Sequence, residues 1–274
     1  MIGVVGLGAV GSLFVHFLNQ GGITPYVITR RCVEYTFCSP TCRQLQFVPT
    51  SELPPVKYTV VAVKAYDSAA AAVHVGGLAV VAQNGVGGLE AIRERHRAVP
   101  AVVTYGVYRE GCRSELRGVG EIVLPREAEE LGEWLRRGGA VVKIVDDVEP
   151  YRWLKLAVNA AINAITAVLQ RENGVVAESP HAGELAAAVA REAAAVAAAL
   201  GVKLPADPVE EVYRVAAATA RNLSSTARDI RLCLKTEVDY INGAVVKYGE
   251  RLGVATPYNK ALYLLVKTLE ERCG

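Results

Sequence analysis

The chain has 274 residues, of which 51% are hydrophobic and 21% charged, with a formal net charge of +2. That length suits two domains better than one core, and the composition is globular rather than fibrous or disordered. Acids and bases are interspersed, with no basic run and no aromatic-basic interleaving, so neither nucleic acid nor a membrane surface is an expected partner.

Met1 runs directly into an apolar strand pattern with no basic segment before it. The most apolar helical stretch, 184–200, is interrupted by Arg191 and Glu192 and is too short and too polar to cross a bilayer. Together these features lead us to expect a cytoplasmic protein.

In chain order, residues 2–5 are an apolar strand pattern, glycines follow, and 9–19 have helical periodicity. Further strand patterns fall at 25–29, 58–63, 78–83, 101–105, 121–124 and 140–145, with helical patterns at 67–74, 87–97 and 127–137. This alternation predicts an α/β domain over 1–148 with a largely parallel, doubly wound sheet. After Glu149-Pro150 the strand signals cease. Helical stretches at 151–170, 180–200, 208–222, 226–234, 237–252 and 257–271 predict an all-helical domain over 149–274. An active site is expected in the crevice between such domains.

The first turn carries the strongest motif. Gly6-Leu7-Gly8-Ala9-Val10-Gly11 is a GxGxxG that follows a strand and opens a helix. Gly6 suits a tight turn, Gly8 a close approach of backbone to a pyrophosphate, and Gly11 close packing of helix on sheet; the helix N-terminus favours the anion. A plain glycine turn is the simpler alternative. At the end of the second strand an NAD enzyme usually carries an acid for the ribose 2′-hydroxyl. Here the sequence reads Thr29-Arg30-Arg31, with no carboxylate before Glu34. Guanidinium forks match a phosphate, so NADP(H) is favoured, with Arg30 the main contact and Arg31 a second candidate. Lys64, in Val63-Lys64-Ala65-Tyr66-Asp67, and Asn84, before the glycine-rich Gly85-Val86-Gly87-Gly88, both close strand patterns, where open α/β sheets bind ligands.

In the second half Lys155, Asn159 and Asn163 are spaced i, i+4 and i+8 and share one helix face amid apolar neighbours. Burying an amine and two amides without partners is costly, so they face a ligand or an internal polar network. A second cluster comprises Asn222, Ser224, Ser225 and Asp229, followed by Thr236-Glu237-Val238-Asp239-Tyr240-Ile241-Asn242-Gly243. Thr236 and Asp239 could equally be a helix cap and a first-turn acid, and Glu237 could serve only the helix dipole. The six cysteines and four histidines match no zinc spacing, so no metal site is expected and free thiols are the simplest reading. A single Met and few Asn give a weak thermophile signal, which leaves an intracellular disulfide open.

Taken together, GLGAVG, VKAYD, QNGVGGLE, WLKLAVNAAINAITAV, NLSSTARDI and TEVDYINGAVV, in that order, resemble the ketopantoate reductase family. The resemblance implies a Rossmann-type doubly wound sheet plus a C-terminal helical domain. It also implies reduction of ketopantoate to pantoate with NADP(H), in pantothenate and coenzyme A biosynthesis. On this resemblance Lys155 is the proton-donating catalytic lysine and Glu237 the acid that binds the substrate hydroxyl and borders the cofactor. Asn159, Asn163, Ser225 and Asn84 surround the substrate. Arg30 meets the 2′-phosphate, while Lys64 and Asn84 lie near the nicotinamide and its ribose. Ala164 stands where the family often has Pro, and Gly87-Gly88 where it has Gly-Asn. A different 2-hydroxyacid or opine-type dehydrogenase, or a non-catalytic NADPH sensor, would share the fingerprint. A homodimer is expected from base rates alone.

Overall fold

The computed structural model describes residues 1–30 and 32–272; Arg31, a candidate phosphate contact, and Cys273 lie outside the described residues. The chain forms two compact units, one of Met1–Gln83 with Gly87–Val148 and one of Asn84–Val86 with the chain from Glu149 onward.

In the first unit the strands are β1 (Ile2–Val5), β2 (Tyr26–Ile28), β3 (Thr36–Cys38), β4 (Cys42–Gln44), β5 (Val48–Pro49), β6 (Tyr58–Val61) and β7 (Leu78–Val81). They continue with β8 (Ala98–Pro100), β9 (Val102–Val103), β10 (Gly106–Glu110), β11 (Arg113–Gly118), β12 (Ile122–Pro125) and β13 (Val142–Val145). The helices are α1 (Ala9–Gln20), α2 (Ser68–Ala71), α3 (Gly88–Arg93) and α4 (Glu129–Arg137).

Six strands form an all-parallel sheet in the order β5-β2-β1-β6-β7-β8. Val4, Val60 and Val80 lie in register and point into one core, while Val5, Val61 and Val81 point into the other. With both faces covered, these strands read as continuous apolar runs rather than alternating ones. The chain leaves β1 through α1 to β2 on one side and resumes with β6 on the other. The order therefore reverses at β1, and the carboxyl ends of β1 and β6 form the topological switch point where such sheets bind ligands.

Two smaller sheets, β10-β11-β3-β4 and β13-β12-β9, complete the unit. The first had no counterpart in the sequence reading. Its strands are short or polar: β4 is exposed throughout and β11 carries Arg113, Glu115 and Arg117, so no apolar strand pattern marks them. The segment 67–74, expected as a helix, is instead a short α-helix flanked by two 3-10 turns. The expectation of free thiols fails as well. Cys32 is bonded to Cys112 and Cys38 to Cys42, and no described cysteine is free.

The second unit contains α5 (Glu149–Leu169), α6 (Val175–Glu178), α7 (Pro180–Ala199), α8 (Pro208–Ala218), α9 (Ser225–Arg231), α10 (Asn242–Leu252) and α11 (Pro257–Glu271). Helix α5 packs against α7, α8, α9 and α11. The alanines that made α7 look membrane-like are its packing face: Ala186, Ala190, Ala193 and Ala197 are all buried. Small side chains let helices approach closely, and burial rather than propensity stabilises the bundle. Among the described residues no helix is long and apolar enough to cross a membrane. The stretch expected as one helix over 237–252 is broken: a 3-10 turn, Val238–Tyr240, precedes α10. Helix α9 begins at Ser225, where the Ser224 hydroxyl accepts the Ala227 amide at 3.1 Å as an N-cap.

Candidate active site

The first unit supplies a site made of backbone. Gly6 has φ +95°, a conformation that L side chains rarely adopt, and its amide donates to the Ile28 carbonyl at 2.9 Å. The turn is thereby tied to the end of β2, two residues before Arg30. A Cβ on Gly11 would lie 1.9 Å from the Gly6 carbonyl oxygen and 3.4 Å from the Ala62 Cβ, so Gly11 lets α1 fold back mainly onto its own turn rather than onto the sheet. At Gly8 a Cβ would meet no protein atom within 4 Å. Helix α1 has no side-chain cap and no acid in its first turn, which leaves its N-terminal amides and the positive dipole end for an anion. Leu7 is buried; Ala9 and Val10 form the first turn of α1. This arrangement fits a pyrophosphate: open space above Gly8 and unshared amides beside it.

Arg30 follows β2 with a side chain 79% exposed, and its guanidinium donates to the Asp67 carboxylate at 2.7 Å. Lys64 directly precedes the 3-10 turn that carries Asp67. The adjoining strand end is braced by Gln83, whose amide donates to the Val63 carbonyl at 2.9 Å and which shares a hydrogen bond with Ser68.

The second unit supplies a site made of side chains. Asn84 belongs to it as part of Asn84–Val86, a segment flanked on both sides in sequence by the first unit. Segment Asn84–Val86 is held by the Val86 amide on the Tyr240 carbonyl at 2.8 Å, and Gly85, with φ +78°, packs so closely on Tyr240 that a Cβ there would sit 2.2 Å from the same oxygen. The Lys155 ammonium donates to Asn84 Oδ1 at 2.9 Å, and Asn84 Nδ2 donates to Glu237 Oε2 at 3.3 Å. The chemistry of the neighbours fixes the amide orientation: the lysine only donates and the carboxylate only accepts. Asn84 thus bonds to both the cation and the anion. Burial drives the Lys155 pKa down to about 8, against the opposing pull of the Glu237 carboxylate.

Further along α5, Asn163 Nδ2 donates to Ser225 Oγ at 3.5 Å, a long bond. Asn159, half-buried, lies between Lys155 and Asn163 on the same face, and among the described residues its amide has no hydrogen-bond partner. Asp229 is buried on α9.

Glu237 is not the dipole-serving acid of a helix start, because α10 begins only at Asn242. It is buried, 4% exposed, and set between two anchors on α11 that the sequence reading did not find. On one side the backbone amide and hydroxyl of Thr236 both donate to Glu270, at 2.8 and 2.6 Å. On the other, Asp239 accepts from the Tyr263 hydroxyl at 2.8 Å and from Lys267 at 3.3 Å. Lys267 also pairs with Glu270 at 2.7 Å. Burial pushes the Glu270 carboxyl up, but the hydrogen bonds from Lys267 and Thr236 outweigh it and hold the group below the usual carboxylate range. Among the described residues no group of acids, histidines and cysteines is placed to hold a metal ion.

The model of the family described as ketopantoate reductase PanE/ApbA matches residues 2–129, and that of its C-terminal domain matches 147–270. A 2-dehydropantoate 2-reductase of Pyrobaculum aerophilum is 63% identical over 277 residues, covering 100% of this chain and 99% of the relative. A PanE/ApbA family ketopantoate reductase from Ralstonia eutropha JMP134 superposes with a TM-score of 0.88 at 27% identity, covering 100% of this chain and 99% of that one. A D-mandelate dehydrogenase, solved with NADH and anilino(oxo)acetate, also superposes at 0.88, with 21% identity over 100% and 99% of the two chains; at that identity the likeness is one of fold.

Proposed function

The chain belongs to the ketopantoate reductase family, and on that premise we propose that it is an NADPH-dependent 2-dehydropantoate 2-reductase, converting the 2-oxo group of ketopantoate to the hydroxyl of pantoate for pantothenate and coenzyme A synthesis. The observation that carries the reading is the Lys155–Asn84–Glu237 chain: a half-buried cation and a buried carboxylate, joined by an amide that bonds to both.

In this reading the Gly6–Gly11 turn and the first amides of α1 bind the cofactor pyrophosphate, and Arg30 exchanges Asp67 for the adenosine 2′-phosphate. Lys64 and Asn84 serve the nicotinamide-ribose end. Bound there, the reduced nicotinamide supplies the hydride that the 2-oxo carbon accepts. Lys155 binds the 2-oxo oxygen, stabilises the negative charge it gains and donates the proton that completes the alcohol. With a pKa near 8 the amine is mostly protonated at neutral pH yet a better acid than an exposed lysine, the balance a general acid needs. Glu237 accepts the hydrogen bond of the substrate's 4-hydroxyl, while Asn159, Asn163 and Ser225 donate to its carboxylate. Asn84, shared between Lys155 and Glu237, sets the distance between the oxygen to be protonated and the hydroxyl that identifies the substrate. A cytoplasmic homodimer is part of the proposal, supported by the frequency of two-fold dimers among soluble enzymes.

The test is NADPH oxidation with ketopantoate, set beside NADH and beside 2-oxo acids that lack a 4-hydroxyl. The proposal expects NADPH with ketopantoate to give the highest kcat/KM. Equal turnover of acids without the hydroxyl would favour a general 2-hydroxyacid dehydrogenase, and cofactor binding without turnover would favour a sensor.

A further inference from the structure

The loop that carries Arg30 runs over residues 29–35, seven residues between the end of β2 at Ile28 and the start of β3 at Thr36. It is fixed at its middle rather than only at its ends. Cys32, 3% exposed, is bonded to Cys112 at the tip of the β10–β11 hairpin, 80 residues away in sequence. Beyond it the Tyr35 hydroxyl shares a 2.8 Å hydrogen bond with Ser114 Oγ, which also accepts from Ser12 of α1 at 2.9 Å. The Thr36 amide donates to the Cys112 carbonyl at 3.0 Å. The hairpin therefore joins the arginine loop to the helix whose N-terminus faces the proposed pyrophosphate site. Among the described residues the Arg30 side chain is restrained by its salt bridge to Asp67 alone, and that bridge is solvent-exposed and weak.

We infer that the Cys32–Cys112 disulfide is a positioning element for cofactor selectivity, holding Arg30 where it meets a 2′-phosphate; this rests on the reading of Arg30 as the phosphate contact. The staple brings the next fixed point after β2 forward from Tyr35 to Cys32, which about halves the span that carries Arg30. Because ordering a flexible span of n residues costs about (3/2)RT ln n, doubling the span by losing the bond makes the ordered arrangement about threefold less favourable. The whole effect falls on the dinucleotide with the phosphate, because NADH has nothing for Arg30 to grip. Reduction balances simply: a dithiol such as dithiothreitol gives two electrons and two protons, the S–S bond breaks, two cysteine thiols form and the reductant closes to its cyclic disulfide. Cys112 is exposed, so the bond is within reach of such a reductant.

The experiment compares KM for NADPH and for NADH, with ketopantoate saturating, in the full-length protein, in C32A/C112A and in R30A, each with and without dithiothreitol. KM does not depend on the fraction of enzyme that folds, so a partly unstable variant still reports. The expected result is a roughly threefold rise in the KM for NADPH in C32A/C112A, with kcat and the KM for NADH unchanged. Dithiothreitol should produce the same shift in the unmodified protein and none in C32A/C112A, which separates this bond from Cys38–Cys42. An unchanged KM for NADPH in C32A/C112A, or a parallel rise for both cofactors, overturns the inference. If R30A itself leaves the KM for NADPH unchanged, the reading of Arg30 has failed; if R30A raises it and the disulfide variant does not, only the staple is wrong.

Discussion

The two units build their sites from different materials. In the first, the groups offered to a ligand are main-chain amides at the head of α1, exposed because Gly8 has no side chain. In the second they are side chains, Lys155, Asn84 and Glu237, brought together from three distant stretches of sequence. A site of the first kind is damaged by adding atoms and one of the second kind by removing them. A backbone site also recognises any dinucleotide, whereas a side-chain site can distinguish one oxo acid from another, as the sharing of this fold with a mandelate dehydrogenase illustrates.

The variants that probe this contrast fall in order of size. K155A removes the proton donor and should lower kcat by about 10²–10⁴ while leaving the cofactor Kd, read by fluorescence titration, unchanged. E237Q should weaken ketopantoate through KM, by roughly 1.5–3 kcal/mol for a lost charge-assisted hydrogen bond, with little change for 2-oxo acids that lack the 4-hydroxyl. G8A sharpens the comparison most. Its Cβ meets no protein atom, so the melting temperature should hold, yet the methyl occupies the space a pyrophosphate needs and cofactor affinity should fall about tenfold. A fall in stability with unchanged affinity would show that Gly8 serves only the fold. E270Q has the smallest effect, a loss of about 1 kcal/mol of stability by denaturant unfolding from weakening the clamp on Thr236. Its sign with pH follows from the lowered Glu270 pKa: the clamp's contribution is present above the usual carboxylate range and is lost as pH falls through the folded value, so E270Q and the parent should converge in acid.

The sequence made the first site legible because its three glycines fall within six consecutive residues between a strand pattern and a helix pattern, although Gly6 also reaches Ile28. The Lys155 stripe was legible for a similar reason, since one helix sets the spacing of Lys155, Asn159 and Asn163. What closes the second site was not legible in the pattern. Asn84 is 71 residues from Lys155 and 153 from Glu237, and its place in the helical unit depends on a three-residue excursion pinned to Tyr240. No periodicity couples such segments; the residues alone left Glu237 between a polar cluster and a helix dipole, and the resemblance to known reductases gave it a role. The clamp from Glu270 stayed hidden because Thr236 and Asp239 satisfy a local helix-start pattern that the chain does not use. The disulfides were illegible because the pairing of Cys32 with Cys112 depends on β11 lying beside β3, and those polar strands carry no apolar signature.

The pH dependence of ketopantoate reduction tests the central claim most directly, since a desolvated amine with a pKa of about 8 loses its proton within the range where the protein can be assayed. With NADPH saturating, kcat/KM should hold on the neutral side and fall tenfold per pH unit above about 8, and K155A should lack that limb on its much lower baseline. A profile that stays flat through pH 9.5, or a parent-like limb retained in K155A, would contradict the assignment of Lys155 as the proton donor.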